Sequence, residues 1–114
     1  MTIPEDQLAE LRRAHPEARL AGEGGTTFVL LPQLELPPGL TPASVDALLC
    51  PVPRDGYSSR LYFASPITGG PPRNWHVKGL RILDRPWYAA SWQTASGLRL
   101  VQMVDVRLDL FRSP

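Results

Sequence analysis

Cys50, the chain's one cysteine, and His76, the second of its two histidines, are the side chains best suited to covalent chemistry. A thiolate can attack an activated carboxyl carbon and hold it as a thioester. For that the thiol needs a lowered pKa, supplied by a helix N-terminus, a cation or a histidine. Cys50 ends the apolar run A-L-L-C at 47–50, a place where cysteine usually packs as a small hydrophobe. His76 follows Asn74 and Trp75 in a glycine- and proline-rich stretch, the kind of loop that carries function on a rigid scaffold. A transient adduct on Cys50 or His76 is the enzymatic option, and nothing in the spacing demands that the two meet. No serine stands in a G-x-S-x-G elbow, and no paired carboxylates stand out. G-E-G-G at 22–25 is a hairpin turn, because no helix pattern follows it as a phosphate loop would require.

The totals narrow the classes further. A chain of 114 residues with 43% hydrophobic and 20% charged residues predicts a single globular domain over 1–114. A net charge of +1 with scattered arginines leaves no footprint for nucleic acid. One cysteine excludes an intrachain disulfide and a thiolate-rich zinc site, and the distant pair His15 and His76 makes a structural metal unexpected. No cofactor is expected. The acidic, polar start M-T-I-P-E-D has no signal-peptide core, and no run approaches the length of a membrane span. The expectation is a cytoplasmic protein.

The elements that must position these residues follow from periodicity and turn chemistry. Residues 2–15 predict a helix, with Thr2 and Glu5 as a capping box and Ile3, Leu8, Leu11 and Ala14 on one face. Pro16 ends it and leaves His15 near the terminal carbonyls. Residues 17–36 predict a hairpin turned at G-E-G-G, its second strand running past a break at Pro32. Residues 45–50 fit a short helix or a strand. The brevity of the run and its terminal proline favour a strand, with Val45, Ala47 and Leu49 on one face and Asp46, Leu48 and Cys50 on the other.

A stiff loop with Asp55-Gly56 as its turn and Tyr57 at its tip leads to a strand over 60–65. Residues 66–94 show little periodicity and predict a long irregular crossing. It holds Trp75, Trp87 and Trp92, which either pin it to the body or form a partner-binding surface. Within it, 77–85 admits a short strand, 86–93 a short helix, and Asp84 and Arg85 an ion pair. Residues 96–112 match helix and strand patterns almost equally. Length favours a helix capped by Ser96, with Asp105, Arg107, Asp109 and Arg112 away from the apolar stripe.

A series of short motifs runs through these elements: L-P-P-G at 36–39, V-D-A-L-L at 45–49, P-R-D-G-Y at 53–57, L-Y-F-A-S-P at 61–66, His76, R-P-W at 85–87 and Trp92. In this order they resemble the ubiquitin-conjugating-enzyme (UBC) fold, more narrowly a bacterial branch associated with ubiquitin-like modifier systems. The resemblance implies an α+β fold: a four-stranded antiparallel meander with an N-terminal and a C-terminal helix. It implies as partners a ubiquitin-like protein, an adenylating activating enzyme and a metal-dependent deconjugating peptidase. Active members carry a His-Pro-Asn motif and then a catalytic cysteine in the crossing. Here the crossing has N-W-H and no cysteine, and Ser58 replaces the proline expected after Tyr57. Cys50 falls in the strand before the loop. The resemblance therefore implies a non-catalytic or atypical conjugating-enzyme-like component, with Tyr57, Trp75, His76 and Trp87 as its binding residues. A binding module unrelated to modifiers, using the aromatic crossing, is the third option.

Overall fold

The computed structural model describes residues 3–52, 59–69, 75–90 and 97–112; for 75–78, 90, 110 and 112 it describes only the backbone. The chain is α+β. Helix α1 (Glu5–Ala14) precedes six strands, β1 (Arg19–Glu23), β2 (Thr26–Glu35), β3 (Ser44–Cys50), β4 (Arg60–Phe63), β5 (Trp75–Ile82) and β6 (Arg85–Ala90), and helix α2 (Leu100–Arg112) closes the order. The strands form one antiparallel sheet in the order β1-β2-β3-β4-β6-β5. The expected four-stranded meander is thus short by two strands.

The extra pair lies where an irregular crossing was expected. Its turn is Leu83-Asp84, both at positive φ (53° and 64°), between the paired residues Ile82 and Arg85. Such a two-residue turn usually uses Asn-Gly or Asp-Gly, so Leu-Asp sends no turn signal. Residues 86–90, part of the 86–93 stretch for which a short helix was open, lie in β6. The turn of β1 and β2 does use its glycines, with Gly24 at φ 59° and Gly25 at φ 81°. The sheet curls: Leu83 N–H, in the β5–β6 turn, donates to Glu23 Oε1 (3.0 Å) at the end of the outermost strand on the other side.

Alternation along the strands builds two cores. Val29, Leu31, Leu34, Val45, Ala47, Leu49, Leu61 and Phe63 meet Ile3, Leu8 and Leu11 near and along α1, and Leu100, Val104, Leu108 and Phe111 of α2. Phe63 and Phe111 pack edge to face, ring centroids 5.7 Å apart. On the opposite face Phe28, Leu48, Cys50, Tyr62, Ile82, Trp87 and Ala89 form a second core inside the curl. The two faces expected of 45–50 are the faces seen.

The helix ends differ from expectation. α1 starts after Pro4 with no side-chain cap bond, and Ala14 is exposed; Thr2 and Ser96 lie outside the described residues. Gln102 accepts the Arg99 N–H (2.8 Å) just before α2, a capping contact one turn later than expected. Arg99 also donates to Glu10 (2.8 Å) and Asp6 (3.1 Å), and Leu100 N–H donates to Gln7 (3.2 Å), so the start of α2 is tied to α1. Among the described residues no helix is long and apolar enough to cross a membrane.

Candidate functional site

Residues 51–59 join β3 to β4, and the structure anchors both stems of this loop. At the first stem, Cys50 Sγ donates to the Val52 carbonyl at 3.6 Å, a weak thiol hydrogen bond. At the second, Arg107 of α2 donates through one guanidinium nitrogen to Ser59 Oγ (3.1 Å) and the Met103 carbonyl (3.1 Å), and through the other to the Ser59 carbonyl. Arg107 was expected on the solvent side of α2 but is only 3% exposed. Its position one turn from Met103 and Val104, on the apolar stripe, was the signal available in the sequence.

Arg60, at the base of β4 opposite Cys50, is also buried, with its guanidinium carbon 5.7 Å from the Tyr62 ring centroid. Burial, and then the charge of Arg60, push the Arg107 pKa down to about 10, so the Arg107 guanidinium remains charged at neutral pH. The arrangement is a cationic clamp on Ser59, built for holding rather than for proton transfer.

The residues singled out from the sequence separate into three groups. Cys50 and Trp87 come together, but inside the second core. Cys50 is fully buried, as its place at the end of an apolar run favoured, and is not open to a protein-sized donor. Trp87 is equally buried, its indole N–H donating to the Ile82 carbonyl (2.8 Å) and the Arg85 guanidinium stacked 4.8 Å from its ring centroid. Its role is pinning the β5–β6 hairpin, which corrects its assignment to an outer binding surface. Trp75 and His76 begin β5, Trp75 paired with Ala90, with only their backbone described. Tyr57, Asp55-Gly56, Asn74 and Trp92 lie outside the described residues.

The V-D motif has a structural use. Asp46 accepts the Gln33 backbone N–H (2.9 Å) and both terminal nitrogens of Arg85 (3.3 Å each), spanning β2, β3 and β6. Those bonds hold its carboxyl below the usual range, the Gln33 N–H contributing most. Gln33 sits at φ 52° in the break of β2, so Asp46 fastens a position that side chains seldom adopt. Arg85 therefore pairs with Asp46, while Asp84 pairs with Arg81 (3.0 Å), a correction to the expected Asp84–Arg85 pair.

A groove of about 400 Å³ lies where α1 ends against the break in β2, lined by His15, Glu17, Gln33 and Glu35 among others. His15 caps α1 as expected, its backbone N–H on the Leu11 carbonyl (2.8 Å). Partial burial lowers its pKa below 6.5, against the opposing pull of Asp105. The folded chain then binds a proton on His15 less readily than the unfolded chain. Stability should be full above about pH 6.5 and decline as pH falls through that value, until the folded His15 also protonates. Wild type should melt lower at about pH 5.5 than at about pH 7.5, and His15→Gln should lose part of that drop. Equal drops in the two proteins would assign the titration elsewhere. The depressed carboxyls of Asp6 and Asp46 act in a separate window, near and below their usual 3.8.

Among the described residues no three His, Cys, Asp or Glu side chains are grouped so as to hold a metal ion. No family model, no curated protein and no solved structure matches this chain.

Proposed function

We propose that the chain is a non-catalytic conjugating-enzyme-like component of a bacterial ubiquitin-like modification pathway, acting in the cytoplasm. It binds a ubiquitin-like protein or the adenylating enzyme that activates it. The motif resemblance suggests the pathway. An α+β chain with a helix at each end of an antiparallel sheet is compatible with a UBC-like scaffold, although two strands are added. The observation that carries the non-catalytic reading is the enclosure of Cys50, the one thiol of the chain. A thioester carrier must present its sulfur to a protein-sized donor, and a core cysteine cannot. The segment between Cys50 and Ser59 and the start of β5 are assigned to binding, with Tyr57, Trp75 and His76 as contact residues.

The test mixes the purified chain with a ubiquitin-like protein and an adenylating enzyme encoded by neighbouring genes, plus ATP, and follows gel filtration and non-reducing gels. Co-elution without a thiol-sensitive adduct is expected. At least one of Tyr57→Ala, Trp75→Ala and His76→Ala should weaken it by about tenfold or more. Cys50 should resist alkylation in the folded protein and react once the protein is unfolded. An adduct lost in Cys50→Ala would make the chain a carrier, and an adduct lost in His76→Ala would move the chemistry to the imidazole. Neither adduct nor co-elution would remove the pathway assignment.

A further inference from the structure

β1 is an outermost strand, its residues exposed except for a half-buried Ala21. Its sequence, R-L-A-G-E, reads as its own complement when two copies run antiparallel. Centred on Ala21, Arg19 of one copy falls opposite Glu23 of the other, and Leu20 falls opposite Gly22.

The hydrogen-bond parity agrees with this register. The two-residue turn makes Glu23 and Thr26 a bonded pair, and bonded and unbonded pairs then alternate along the hairpin. Arg19, Ala21 and Glu23 therefore direct their backbone groups to β2. Leu20 and Gly22 direct theirs outward, so in the two-copy register the outward groups of Leu20 meet those of Gly22. Arg19 and Glu23 become an unbonded pair, the kind whose side chains approach closest.

The side chains fit as well. Leu20 is the exposed large hydrophobic among the described residues, at 46%, and the Gly22 opposite leaves it room. Arg19 has no ion-pair partner among the described residues. Glu23 uses Oε1 for the Leu83 N–H, which leaves Oε2 for an arginine.

We propose that two copies of this chain associate through β1, joining their sheets into one continuous antiparallel sheet. Charged residues on an edge strand commonly prevent such pairing. Here their order makes the antiparallel self-pair attractive and a pair shifted by two residues less so. Five residues of edge bury less than a standard interface, so the dimer is weak and forms as concentration rises.

Sedimentation velocity up to about 1 mM protein tests this, with amide hydrogen exchange as a second readout. A concentration-dependent dimer is expected, with exchange at the Leu20 and Gly22 amides slowing as it forms while the Ala21 amide, already bonded to β2, stays unchanged. Arg19→Glu alone and Glu23→Arg alone each turn both symmetry-related ion pairs into like-charge pairs, and should weaken association by about tenfold or more. Mixed together, these two variants should pair with each other, because every Glu then faces an Arg. A monomer throughout the range, a dimer untouched by either single variant, or a mixture that stays monomeric would each overturn the proposal.

Discussion

Replacing Trp87 with alanine is expected to lower the unfolding free energy by about 3–5 kcal/mol, the usual cost of deleting a fully buried large aromatic ring. The ring is 0% exposed and sits in the second core with Phe28, Leu48, Cys50, Tyr62 and Ile82. Among the described residues no helix covers that core. It is closed by the curl of the sheet, and among the described side chains Trp87 is the largest that the β5–β6 hairpin brings to it. Removing it leaves a cavity on the face where the hairpin meets β2, β3 and β4. It also takes the indole donor from the Ile82 carbonyl, next to a turn that holds Leu83 at φ 53°. Trp87→Phe should separate the two effects. It keeps most of the ring and should cost about 1–2 kcal/mol for the lost hydrogen bond and the smaller volume. Urea unfolding followed by far-UV circular dichroism measures both variants. A cost under about 1 kcal/mol for the alanine variant would mean that the hairpin does not rest on this ring.

The second large effect is expected at Arg107. Its three hydrogen bonds come from a charged, buried donor, and bonds of that kind are worth about 1.5–3 kcal/mol each. Their sum overstates the loss. The guanidinium is costly to bury, and the neighbouring charge of Arg60 repels it, as its pKa of about 10 records. Arg107→Ala relieves both costs but leaves the Ser59 hydroxyl and carbonyl without their donor. The net expectation is a loss of about 2–4 kcal/mol. Arg107→Lys should not restore it, since one ammonium cannot reproduce two nitrogens directed at Ser59 and Met103. Ser59→Ala removes one acceptor while the same nitrogen keeps the Met103 carbonyl, and should cost about 1.5 kcal/mol, the low end for a charged donor. Equilibrium unfolding of the three variants gives the order. If lysine were as stable as arginine, the clamp would be a matter of charge alone.

Arg107 also marks the limit of what side-chain patterning tells about the candidate site. A charged residue on an amphipathic helix defaults to water, and only a specific acceptor at the helix face reverses that. The acceptor is Ser59, 48 positions earlier, and no local pattern connects the two. Cys50 shows the opposite case. Its place at the end of an apolar alternating run already favoured packing over chemistry, and it is buried. Asp46 appeared in a motif whose meaning was open; its partners Gln33 and Arg85 lie 13 and 39 positions away, and they make it a tie across three strands.

Several elements needed nothing but sequence. The first hairpin, turned on two glycines, the two faces of β3 and the end of α1 at Pro16 follow from turn chemistry and period, which act over a few residues; for 100–112 period left helix and strand level, and only the length of the run favoured the helix that forms. The tertiary structure decided what those rules cannot reach. It made 75–90 a hairpin through a Leu-Asp turn with no local signal, and it curled the sheet so that Ile82, Trp87 and Ala89 close a second core. It also turned Trp87 inward and drew Arg107 onto Ser59. In each case contacts distant in sequence outweigh weak local preference, because burying a ring or satisfying a buried guanidinium is worth several times what one turn residue or one helix position costs.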